Sequence, residues 1–136
     1  MIRKKFSYVL LFCCLSLLST ACKEDVDIPD LLVGTWQLTE VKVNEQSEDI
    51  SDKTDLIQFQ ANSIYQSYNT TTEEKNRGGW SYQGNMLNIS LDLPAAYYVE
   101  TISENSLELK RFDFGTDGEL LTTQLFYEKA ADDLIP

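Results

Sequence analysis

Between residues 33 and 129 the chain is a succession of short β-prone runs separated by turn residues, and that rhythm restricts the fold more than any other feature. The runs are 33–43, 54–60, 63–68, 78–82, 86–91, 96–102, 106–112 and 119–129. Between them stand Ala61-Asn62, Gln83-Gly84-Asn85, Glu104-Asn105 and Gly115-Thr116-Asp117-Gly118, residues suited to tight turns. Alternation is clearest at Leu87, Ile89 and Leu91 and at Leu107 and Leu109, with Asn88, Ser90, Glu108 and Lys110 between them. No run keeps a helical period and no internal repeat stands out. Eight such runs joined by short connections predict an all-β fold, an eight-stranded antiparallel up-and-down β-barrel over residues 31–131. Closing the sheet removes its edges and leaves room for one small ligand. A half-open sandwich accommodates the same runs. Two polar segments, Asn44 to Lys53 and Asn69 to Arg77, break the rhythm; each is expected to be a solvated loop, with a mobile lip over a barrel mouth as the alternative.

Ahead of the strands lies a segment that reads as an address. Arg3-Lys4-Lys5 is followed by an apolar stretch from Phe6 to Leu18, too short to span a bilayer, and then by Ser19-Thr20-Ala21. Residues 1–21 are therefore expected to be a signal peptide, 22–30 an acidic tether and 132–136 a C-terminal tail. Leu18-Ser19-Thr20-Ala21-Cys22 resembles the lipobox of bacterial lipoproteins, with Ser19 where the commonest pattern has leucine. The resemblance implies lipidation at Cys22 and attachment to a membrane through that lipid. Lys23-Glu24-Asp25-Val26-Asp27 looks like the surface-export signals of lipoproteins in certain Gram-negative bacteria. The expectation is an outer-membrane lipoprotein facing the cell surface, with the periplasmic face as the alternative.

Composition removes several kinds of chemistry. All 22 acidic residues follow residue 21, against eight of the 11 basic ones. So anionic a domain repels phosphate backbones, and nucleic acid is not an expected partner. Cys13, Cys14 and Cys22 are the three cysteines, which leaves the folded part without a disulfide or a thiolate metal site. There is no histidine, so the commonest neutral-pH base and transition-metal ligand are missing. No Ser–His–Asp set is possible and Ser-x-x-Lys does not occur. Glu40, Glu100 and Glu108 fall within strands, but carboxylate pairs arise by accident in a chain this acidic. Asp113 to Glu119 contains Asp-Phe-Gly and part of a calcium-loop pattern; place three is Gly115 and place twelve Gln124, so a hairpin turn is expected instead. No catalytic residue, metal site or cofactor is expected.

Gly34-Thr35-Trp36 on the first strand looks like the Gly-x-Trp of lipocalins, whose indole closes the base of the barrel. The rhythm of Leu56-Ile57-Gln58-Phe59, Trp80-Ser81-Tyr82-Gln83-Gly84, Leu107-Glu108-Leu109 and Phe126-Tyr127-Glu128-Lys129 resembles small bacterial lipocalin-like lipoproteins. Two departures stand out. The Thr-Asp-Tyr motif is missing, with Tyr97-Tyr98-Val99 a faint echo, and the arginine that lipocalins lay over the tryptophan is absent, Lys129 being the nearest basic residue. The resemblance implies a non-catalytic carrier of a small, mainly apolar molecule. Aromatics on the strands supply the expected ligand contacts: Trp36, Phe59, Tyr65, Trp80, Tyr82 and Tyr98. Core filling accounts for the same aromatics. The alternative function is a filled barrel that docks on an envelope protein, drawn from the small size and the two acidic loops.

Overall fold

The computed structural model describes residues 27–136, so the expected signal peptide, Cys22 and the first part of the tether lie outside the described residues. Inward-facing apolar residues alternate with polar ones along most of the chain, and hydrogen-bonded neighbours carry their inward residues opposite one another. The elements are α1 (Ile28–Leu32), β1 (Gly34–Val43), β2 (Gln46–Ser47), β3 (Leu56–Phe59), β4 (Ile64–Tyr68), β5 (Lys75–Gln83), β6 (Met86–Ser90), β7 (Ala95–Ile102), β8 (Ser106–Phe114) and β9 (Leu120–Ala130). The sheet runs β1-β3-β4-β5-β6-β7-β8-β9, and β9 returns to pair antiparallel with β1 from Thr35–Ala130 to Val43–Thr123. That seam closes an eight-stranded antiparallel barrel and rules out the half-open sandwich. The short β2 is a spur hairpinned onto the end of β1 through Asn44 and Glu45, both at positive φ.

Two irregularities keep the barrel's inner face apolar. A bulge between Leu38 and Glu40 hands the inward position from Leu38 to Val41, which then faces Leu125 of β9. A second, between Val99 and Thr101, hands it from Val99 to Ile102, opposite Leu107. The β5–β6 hairpin turns through Gly84 and Asn85, both at positive φ, as a two-residue loop of this kind requires.

The base is sealed. Trp36, Phe59, Leu87, Leu107 and Leu109 are fully buried there, and Leu32 closes over them from α1. Pro29 sits in the first turn of that helix, where a missing N–H costs nothing. The Trp36 indole donates to the Leu32 carbonyl at 2.9 Å, which ties the helix to the first strand. The helix crosses residues 30 and 31, where the sequence placed the border between tether and barrel.

At the other end lie the connections 44–55, 69–74, 91–94 and 115–119. The segment expected to be a loop from Asn69 to Arg77 is shorter, because Lys75, Asn76 and Arg77 pair with Tyr68, Ser67 and Gln66. Its turn is fastened. The Asn69 Oδ1 accepts from the Thr71 and Thr72 amides at 2.9 and 3.1 Å, and Thr70 donates to the Asp55 carboxylate through both its amide and its hydroxyl.

Candidate functional site

Above the sealed base the barrel opens into a calyx of about 420 Å³. Part of its wall is apolar: Leu38 and Val41 from β1, Ile57 from β3, Leu91 after β6 and Leu125 from β9. Interleaved with these are hydroxyls and donors: Tyr65 and Ser67 from β4, Asn76 from β5, Tyr97 from β7, Arg111 from β8 and Tyr127 from β9, with Ser67 opposite Ile57 and Tyr127 opposite Leu38. Strand pairing explains why they meet. Ser67 faces Asn76, Leu107 faces Tyr127, and Leu109 faces Leu125, so two further residues along β8 the same alternation aims Arg111 inward opposite Thr123.

The Arg111 guanidinium donates through Nε to Asp113 Oδ2 at 2.7 Å and through Nη1 to the Tyr97 hydroxyl at 3.3 Å. Burial disfavours its charge, but Tyr97 and Asp113 outweigh that and leave its pKa raised, so it stays cationic. Burial, then the neighbouring Tyr97, pushes the Tyr65 phenol well above its usual range. Burial does the same to Tyr127, with Tyr65 and Tyr97 adding to it. Both phenols therefore keep their protons and remain donors. Lys53 and Thr54 border the opening, and no carboxylate lines the calyx. Among the described residues no cluster of three histidine, cysteine or acidic side chains is arranged to hold a metal ion.

Of the six aromatics expected to contact a ligand, Tyr65 lines this calyx. Trp36 lies beneath it in the base. Phe59 packs edge-on against Trp80 at 5.4 Å between ring centroids, and the Trp80 indole donates to the Gln60 carbonyl at 2.9 Å, so both are structural. Tyr82 is half-buried against the core, with its hydroxyl at Asn85 Oδ1. Tyr98 points outward, 44% exposed, against Phe112. The reason is register: Leu87 pairs with Tyr97, which sends Tyr97 in and its neighbour out. Arg111, Tyr97 and Tyr127 are the functional candidates that the sequence reading passed over as site residues. The signal for Arg111 was the Leu107–Leu109 alternation carried one step further.

The sequence matches a family model described as a lipocalin-like domain over residues 32–109. Among solved structures it is similar to a lipocalin-like protein from Bacteroides uniformis, at 18% identity and a TM-score of 0.56, over 74% of this chain and 99% of that one. It is also similar to bovine odorant-binding protein. The structure of that protein from nasal mucosa aligns at 12% identity and a TM-score of 0.50, over 80% of this chain and 77% of that one. Its complex with a selenium-containing odorant aligns at the same identity and score, over 80% and 76%. No curated protein matches the sequence.

Proposed function

The chain belongs to the lipocalin-like domain family, and on that premise we propose that it is a membrane-anchored carrier which holds a small, largely apolar molecule in its calyx and catalyses nothing. The calyx carries the reading. Its volume of about 420 Å³ falls within the range of about 300–1,000 Å³ typical of small-molecule sites. A wall of aliphatic side chains interspersed with a few hydroxyls is the chemistry of such sites. The bovine barrel of similar fold is seen with a selenium-containing odorant, which lends the class of guest rather than its identity. Native mass spectrometry of the protein purified from its own host tests this. A bound small molecule is expected, together with a rise in melting temperature on adding its relatives. An empty barrel and no shift across a panel of lipids and aromatics would overturn the reading.

The anchor rests on Leu18-Ser19-Thr20-Ala21-Cys22, and the acidic run after it supports the outward face of an outer membrane. Metabolic labelling with an alkyne fatty acid should mark the wild-type chain and not the Cys22→Ala variant, which should leave the membrane fraction. The described chain enters the barrel at its sealed base, so a lipid on that side would leave the open end facing away from the bilayer.

A second reading, docking on an envelope protein, is favoured by one observation. Tyr98, Phe112, Phe114 and Leu120 are exposed together on the outer face of β7, β8 and β9, an unusual run of apolar surface on an acidic protein. Crosslinking in intact envelopes should recover that partner, and recovery of none would sink this reading.

A further inference from the structure

Over a base of Trp36, Phe59 and buried leucines, Tyr65, Tyr97 and Tyr127 line the calyx from positions opposite Phe59, Leu87 and Leu107, and the Arg111 guanidinium joins them from farther toward the open end. We propose that this cluster is a head-group subsite, built on Arg111, for the carboxylate of an amphipathic guest whose tail lies along Leu38, Val41, Ile57 and Leu125. The inference rests on the carrier reading and narrows the guest to an organic monocarboxylate.

Charge distribution is the first argument. In a chain with 22 acidic residues, the calyx wall has two cations, Arg111 and Lys53, and no carboxylate. The connections around the mouth are acidic, with Glu45, Glu48, Asp49, Asp52, Glu73, Glu74, Asp92, Asp117 and Glu119 among them, whereas the wall inside is cationic, so a carboxylate seated there meets no acid lining the calyx. Asp113 is the nearest acid. It occupies the Nε edge of the guanidinium at 2.7 Å, and both side chains are partly open to solvent.

Donor geometry is the second. Asp113 and Tyr97 engage Nε and Nη1, and no protein acceptor among the described residues meets Nη2. The phenol of Tyr65 faces the same space from β4 and that of Tyr127 from β9. A guanidinium edge with phenol donors around it suits two acceptor oxygens on one carbon, since charge-assisted hydrogen bonds to such a group are the strong ones. A neutral alcohol or aldehyde would satisfy fewer of these donors.

The test uses the full chain in nanodiscs, with empty nanodiscs as the blank, and two probes of equal tail length, octanoate and octanol. Calorimetry should show octanoate bound at least about ten-fold more tightly, and Arg111→Gln should bring the two to near equality by weakening octanoate alone. Arg111→Lys, which keeps the charge beside Asp113, should retain part of the preference and serves if the glutamine variant folds poorly. Equal affinities in the wild type, or an Arg111→Gln protein of unchanged melting temperature that binds octanoate as before, would overturn the head-group assignment and leave the carrier reading standing. Binding of neither probe, with no shift across the wider panel, would overturn both.

Discussion

The Lys129 ammonium stands 4.5 Å above the centroid of the Trp36 ring and donates to the Val33 carbonyl at 2.8 Å. The last strand thus lays a cation over the indole that plugs the base, in the place where lipocalins carry an arginine. Lys129→Met should lower stability by about 1–2 kcal/mol, the cation–π contact and the hydrogen bond together. Lys129→Arg should cost little. Urea denaturation of the two variants separates these outcomes.

Gly34 makes that placement possible. Its φ is 135°, a backbone shape that side chains resist, and a Cβ there would collide with the Lys129 ammonium. Gly34→Ala should destabilise by about 2–4 kcal/mol through strain and displacement of the lysine. In a double-mutant cycle, Gly34→Ala with Lys129→Ala should cost less than the two single losses combined, because the collision occurs once. Strict additivity would mean that the lysine does not occupy that space.

Alkali should open the barrel through its buried phenols. Tyr65 and Tyr127 have pKa values raised by burial, while a tyrosine in the unfolded chain ionises near 10.0. Above that pH the unfolded state has given up protons that the native state keeps, so stability is whole below about pH 9 and falls as pH rises, by about 1.4 kcal/mol per unit for each phenol. Absorbance at the phenolate band should show these two tyrosines ionising only as the barrel unfolds. Replacing both with phenylalanine should flatten the slope.

Filling the calyx should abolish carriage without harming the fold. Leu125 lines the cavity and is half-buried. An indole at that position, Leu125→Trp, projects into open space, so the melting temperature should stay within a few degrees while ligand affinity drops by about ten-fold or more. Retained affinity would put the guest elsewhere.

Much of this architecture could be read from the sequence, for a physical reason. Alternation at Leu87, Ile89, Leu107 and Leu109 reports a one-sided core, and all four lie in it. Gly84-Asn85 reports a positive-φ turn, and both residues adopt it. The limits of β5 were less legible, because Lys75, Asn76 and Arg77 lie near the open end, are exposed, and give no periodic signal. The calyx was harder still. Aromatic type marks a residue as apolar bulk but does not say which face it takes, and at Tyr97-Tyr98 one unit of register decides between them. Arg111 lies beside Lys110, and a pair of basic residues reads as solvated surface until strand pairing assigns one to each side. The two bulges, which reset the inward phase on β1 and β7, leave no mark in composition.

The seam between β1 and β9 joins the first stave to the last, which fixes an order of events during synthesis. Until Leu120 to Ala130 emerge, β1 and β8 each present a free edge, and Trp36 waits for Lys129. Ring closure across nearly the whole domain is slow, because the longest loop is ordered before its contacts are gained. A nascent chain of this kind stays threadable until it is almost complete, and it is exposed to edge-to-edge pairing with its neighbours for just as long.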